Sequence, residues 1–219
     1  VSVQSLEGLQ AALERDLSWR KKELSGLRIS AMRSATERNY LFRAGLVLIC
    51  AHWEGFLKKA VEKYVAHVFA QGLRLHDLAP VFVAQALFSD VRRASEAEFP
   101  GSETHVRLAK RIQQGLDVVC SRSEWVAKTE GNPGSTLVAR LLGSVGIDAE
   151  IGLDAAGWST TRVFIDEQVV ADRHKVAHGD GFPVSKEQFL ERSGRMLDLL
   201  DRLSSEIIRA AETKAYRLS

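Results

Sequence analysis

The chain has 219 residues, of which 45% are apolar and 26% charged, with 30 Lys and Arg against 28 Asp and Glu for a net charge of +2. It is long enough to bury a core without disulfide staples, and its composition is that of an ordinary globular protein. A global charge so near zero neither demands nor excludes a nucleic-acid partner, so any basic footprint must be local.

Cys50 and Cys120 lie far apart and read as buried free thiols, which fits a reducing cytoplasm. Residues 1–10 lack a charged stretch followed by an apolar core, so no signal peptide is expected. The most apolar run, residues 44–53, is too short for a bilayer, which needs roughly 20 residues. The expectation is a cytoplasmic protein with no membrane association.

Leu6, Leu9, Leu13, Leu17 and Leu24 recur at helical spacing and predict a helix over 5–32. Thr36 is placed to cap a second helix reaching about residue 71, with Phe42, Leu46, Ile49, Trp53, Phe56, Ala60 and Tyr64 as its apolar stripe and Gly72 as its stop. Residues 73–130 predict two or three shorter helices, the clearest over 107–120. Gly131-Asn132-Pro133-Gly134 is a breaker. Ser135 then caps a short helix over 137–145 that Gly146 ends, and 152–157 reads as loop. Ser159 or Thr160 starts a helix to about 177, stopped by Gly179, Gly181 and Pro183. Ser185 opens the last helix, with Glu187 and Gln188 in its first turn and a stripe of Phe189, Met196, Leu200, Leu203, Ile207 and Ala211. No useful strand-like alternation occurs. The fold class is therefore all-α: an up-and-down helical bundle with short helices inserted between its second and third long helices.

The chemistry concentrates in Asp172-Arg173-His174-Lys175-Val176-Ala177-His178-Gly179, at the end of a helix. Arginine is a fixed cation that can clamp phosphate oxygens in a bidentate way. Histidine gives or takes a proton near neutral pH. Together they meet the minimum needs for breaking an RNA phosphodiester, because the ribose 2′-OH is an internal nucleophile and no metal or water has to attack. The competing reading is structural, since the negative end of a helix dipole attracts Lys, Arg and His. His174 and His178, at i and i+4, could share a metal, but Lys175 stands where a metalloprotease helix carries Glu. No third ligand has a recognisable spacing, so neither a metal nor a cofactor is expected.

In the second helix, Trp53, Phe56 and Leu57 are core candidates. Gly55 suggests another backbone packed close to it. Glu54 either pairs with Lys58 on a solvated face or leaves the surface to orient Arg173.

These residues resemble the HEPN superfamily, and within it the MAE-type, RiboL-PSP-HEPN-like nucleases. The family signature is Arg, a polar residue and then His a few positions on, here Arg173, His174 and His178 with Gly179 following. Trp19-Arg20-Lys21-Lys22-Glu23-Leu24 resembles the family's first helix, and residues 51–58 its second-helix motif. Residues 132–142, with Val145-Gly146-Ile147, resemble the segment before the signature helix. The blocks keep order and spacing over nearly the whole chain. The position after Arg173 is often Asn or Asp in the family, and His174 departs from that. The resemblance implies a single HEPN domain over 1–219 and a homodimer with two signature helices facing across a cleft. It implies metal-independent RNA cleavage to a 2′,3′-cyclic phosphate and a 5′-hydroxyl. It also implies a place in toxin–antitoxin or antiviral-defence loci, with an antitoxin or defence-system protein as partner. Arg173, His178 and His174 are then the expected catalytic residues, with Glu54, Asp172 and Lys175 supporting them or the substrate. The alternative is an inactive HEPN module that binds RNA or a partner protein.

Overall fold

A computed structural model describes residues 3–33, 39–121, 125–129 and 131–218. The first long helix, α1 (Leu6–Arg33), buries Leu9, Leu13, Leu17 and Leu24, the stripe its spacing predicts. The second, α2 (Asn39–Ala70), buries every member of its own stripe from Phe42 to Tyr64 and ends before Gly72, whose φ of 64° reverses the chain. The expected Thr36 cap lies outside the described residues. The last helix, α8 (Lys186–Glu212), starts on a complete capping box: the Ser185 hydroxyl accepts from the Gln188 N–H, and the Gln188 side chain accepts from the Ser185 N–H. α1, α2 and α8 pack on one another to form the bundle. Among the described residues there is no strand, only two isolated bridges, Arg74 with Val119 and Leu78 with Arg217.

The inserted region differs from the sequence expectation in its boundaries. A short 3-10 turn (Leu75–Asp77) leads to α3 (Pro80–Ser95), with Pro80 at its first position, and then α4 (Glu103–Gln113). The helix expected over 107–120 thus begins earlier and stops at Gln113. Gly115, at φ 70°, turns the chain, and the next residues are drawn into extended backbone pairing. Leu75 N–H donates to Val118 O at 3.1 Å and His76 N–H to Leu116 O at 3.1 Å.

Two further boundaries move toward the signature. The short helix α5 spans Ser135–Gly143, and the Ser135 side chain does not cap it. The Asp166 carboxylate does so from another element, accepting from the Ser135 N–H and from its hydroxyl, both at 2.6 Å. The next helix, α6 (Ala155–Val163), starts within the stretch read as loop, because Asp154 rather than Ser159 or Thr160 is its cap, accepting from the Gly157 N–H at 2.7 Å. From there the chain stays helical through a wide π segment (Phe164–Ala171) into α7 (Asp172–Ala177). The π segment has a packing cause. Phe164 and Ile165 are buried, as are Val169 and Val170 five positions later. A turn of five residues keeps both pairs on the core, where an α turn would rotate one pair out.

No helix among the described residues is long and apolar enough to cross a membrane. Neither cysteine forms a disulfide; Cys50 is buried as expected, whereas Cys120 is only half-buried.

Candidate functional site

The re-phased rod sends the signature side chains in three directions. Asp172 turns inward: its carboxylate meets Arg192 of α8 at 2.9 Å, and both side chains are only 8% exposed. Its other oxygen takes the Lys175 ammonium at 2.8 Å. Lys175 also stands 4.6 Å over the Phe182 ring. Asp172 thus ties the rod to α8, while Lys175 pairs with Asp172 and covers Phe182 in the turn that follows the rod.

Arg173, half-buried, points the other way. Its Nη2 donates to the Gly131 carbonyl, which fixes the side chain against the loop between α4 and α5. Arg173 also reaches the Cys50 thiol on α2. Burial pushes that thiol's pKa up, while the hydrogen bond and charge of Arg173 pull it down and the Glu54 charge pushes it up again. Cys50, Glu54 and Arg173 thus share one neighbourhood. A guanidinium carries five N–H donors, and Gly131 uses only part of that set.

Glu54 takes a third course beside the two its sequence context suggests, accepting the Thr129 hydroxyl at 2.5 Å. Next to it, the buried Trp53 indole donates to the Pro133 carbonyl at 2.9 Å. The loop around Gly131 is therefore held at Thr129 by Glu54, at Gly131 by Arg173, at Pro133 by Trp53 and at Ser135 by Asp166. Trp53→Phe should cost about 1–3 kcal/mol by orphaning the buried Pro133 carbonyl. It should also raise proteolytic nicking between 129 and 134. An unchanged denaturation midpoint with no added nicking would remove this contact from the loop's support.

His174 and His178 lie on a common face, as their spacing requires. Their rings stack with centroids 6.1 Å apart and planes 10° from parallel. His174 is half-buried and His178 exposed. The helix does not end between Arg173 and His178. His178 N–H still donates to His174 O at 3.0 Å, and the reversal comes only at Gly179, φ 83°. Five residues of helix therefore separate Arg173 and His178 by roughly 140° around the axis. The turn beyond is pinned from α2, with Arg43 donating to Asp180 O at 2.6 Å and Asn39 to Val184 O at 3.3 Å. Among the described residues no group of three or more His, Cys, Asp and Glu could hold a metal ion.

A second polar cluster joins α1 to α2 on a different face of α2. Arg20 Nε donates to Asp16 at 2.8 Å, and Nη1 donates to His52 O at 3.3 Å. His52 Nε2 lies 2.7 Å from Glu23, and burial nonetheless lowers its pKa. The Trp19 ring meets His52 edge-on, at 5.2 Å between centroids. This cluster accounts for Gly55. What approaches it is not a backbone but the Arg20 guanidinium, whose Nη1 would sit 2.7 Å from an added Cβ.

Some of these features carry a signal in the sequence, and others carry none. The five-residue interval between Phe164-Ile165 and Val169-Val170 marks the π segment. Nothing in spacing links Asp166 to Ser135, Trp53 to Pro133 or Asp172 to Arg192, because those partners meet only in the folded chain.

No curated protein and no solved structure shows a significant match to the chain. A sequence model of the RiboL-PSP-HEPN family does match it, over residues 15–209, from the Asp16–Arg20 cluster through the signature and most of α8. The chain therefore belongs to the RiboL-PSP-HEPN family of the HEPN superfamily, a membership that points to a nuclease-type or RNA-related function.

Proposed function

We propose that the protein is a metal-independent endoribonuclease acting as a homodimer, with Arg173, His174 and His178 as its catalytic residues. The observation that carries this reading is the open end of the signature rod. There a guanidinium is aimed by Gly131, and two stacked imidazoles sit at an accessible helix terminus. In the reaction the 2′-oxygen attacks the adjacent phosphorus as a base removes its proton. The P–O5′ bond breaks as an acid protonates the leaving 5′-oxygen. The products are a 2′,3′-cyclic phosphate and a 5′-hydroxyl. Arg173 stabilises the charge that builds on the phosphoryl oxygens. His178, the more exposed ring, exchanges the proton. His174 positions the phosphate or ribose, or supplies the complementary proton transfer.

The divergence of Arg173 and His178 along one helix supports the dimer. One chain aims them apart, so a second rod related by a two-fold axis supplies the missing group. The protein should sediment as a dimer at micromolar concentration. A monomer that cleaves at full rate would end this part of the reading. In the cell, a toxin or antiviral-defence effector in the cytoplasm, held in check by an antitoxin or partner protein, fits a nuclease of this kind.

The same divergence favours a second reading, a HEPN module that binds RNA or a partner protein without cutting. One experiment separates the two. RNA incubated with the protein in excess chelator should be cleaved to cyclic-phosphate ends, and DNA, which lacks the 2′-OH, should survive. Binding without cleavage selects the module. Activity lost in chelator and restored by zinc would reassign His174 and His178 as metal ligands.

A further inference from the structure

A cavity of about 390 Å3 lies between the loop around Gly131, the first turns of α5 and the π segment. Its volume is in the range that takes one small organic ligand. Asp166 and Val170 form one wall, at positions four apart on the rod, and Arg173 follows three residues later on the same path. Thr129 and Asn132 form another wall, flanking Gly131, whose carbonyl Arg173 holds. The cavity and Arg173 are therefore linked through the same loop at Gly131.

The lining says what that occupant is. Asn132 is exposed, and its side-chain amide presents a donor and an acceptor together. That pair matches the paired donor and acceptor on a nucleobase edge. Asp166 places a carboxylate in the wall, already accepting from the Ser135 N–H and hydroxyl. A carboxylate repels a phosphate but has lone pairs to spare for an exocyclic amino group. Arg140, exposed on α5 and without an ion pair among the described residues, stands at the rim one turn beyond Thr136. It suits a phosphate lying outside the cavity.

We propose that this cavity receives one unstacked base of single-stranded RNA flanking the cleaved phosphodiester, with Asn132 reading its edge and Arg140 gripping the neighbouring phosphate. The assignment rests on RNA being the substrate of the Arg173 site. A base bearing an exocyclic amino group (adenine, cytosine or guanine) is preferred over uracil, because that amino group donates to Asp166 while Asn132 pairs with the rest of the edge, and uracil offers only its ring N3–H. A paired base is excluded, since its edge is covered and a duplex cannot enter.

The test uses octaribonucleotides of A, C, G and U titrated against the full chain carrying His178→Ala, which slows turnover by about 100-fold or more, with fluorescence anisotropy as the readout. Oligo-U should bind most weakly. Adding Asn132→Ala should shrink the preference for A over U by about tenfold. Adding Arg140→Ala should weaken all four oligonucleotides alike and lower the salt slope of log affinity by about one. Both positions are exposed, so thermal unfolding of each variant should match its parent. Unchanged base preference with Asn132→Ala, or an unchanged salt slope with Arg140→Ala, overturns the corresponding contact. No binding to any of the four overturns the subsite altogether. With Asn132→Ala alone, the cut-site pattern on a mixed-sequence RNA should broaden. Base-selective binding without any wild-type cleavage would fail the nuclease reading and leave the subsite standing. Cleavage with an unaltered cut-site pattern would do the reverse.

Discussion

Asp172→Ala should destabilise the protein by about 3–5 kcal/mol, the largest loss expected from any single change in the signature. The reason is asymmetry. Asp172 and Arg192 face each other at 2.9 Å with each side chain 8% exposed. Removing the carboxylate leaves a guanidinium desolvated and unpaired, and such a charge costs far more than the pair contributes. Against a typical total stability of about 5–15 kcal/mol, this is a major fraction. The melting temperature should fall on the order of 10 °C for a chain of this size. Two companions separate this mechanism from simple loss of contacts. Lys175→Ala should cost under about 1 kcal/mol, since its own half of the pair is 47% exposed and screened by solvent. Asp172→Leu combined with Arg192→Met should recover most of the loss, because both charges then leave the interior together. Denaturant unfolding reads all three. An Asp172→Ala protein within 1 kcal/mol of wild type would mean that Arg192 finds water or another partner, and the rod would owe its position to packing alone.

That ion pair also shows where sequence reading stops. The stripes of α1, α2 and α8 were legible because one helix face must be apolar to be buried, and periodicity alone reports it. Gly72 and Gly179 were legible as stops because a left-handed residue after a helix favours glycine. Residues 114–120 misled because helical spacing there competes with a backbone partner, Leu75 and His76, some forty positions earlier. Gly157 misled because a glycine in a helix's first turn looks like loop until its cap, Asp154, is known. Around the signature, the common face of His174 and His178 could be read from their spacing. The directions of the rest could not. Whether Asp172 meets solvent or Arg192 depends on the phase of the helix, which one π turn shifts. Gly55 signals a close approach, but a glycine reports only that space is needed, not whether backbone or guanidinium fills it.

The phase shift sets up the sharpest test of the proposed chemistry, on Arg173 against His178. His178→Ala should lower the cleavage rate about 100-fold or more while leaving RNA affinity nearly intact, since it removes proton transfer from an exposed side chain that lies outside the core. Arg173→Ala should weaken both binding and rate. Arg173→Lys keeps the charge but loses the planar fork that holds Gly131 and a phosphate together, so it should still cost turnover severely. If one phosphate is served by Arg173 of one subunit and His178 of the other, the two inactive variants must complement. A mixed dimer of Arg173→Ala and His178→Ala chains contains one site with both groups intact. Random exchange makes half the dimers mixed, so activity should return to about a quarter of wild type. If both groups act from the same chain, every site in the mixture lacks one of them and no activity returns. Wild-type speed from a folded His178→Ala protein would remove His178 from the chemistry altogether, and Arg173 with His174 would then have to account for any cleavage that remains.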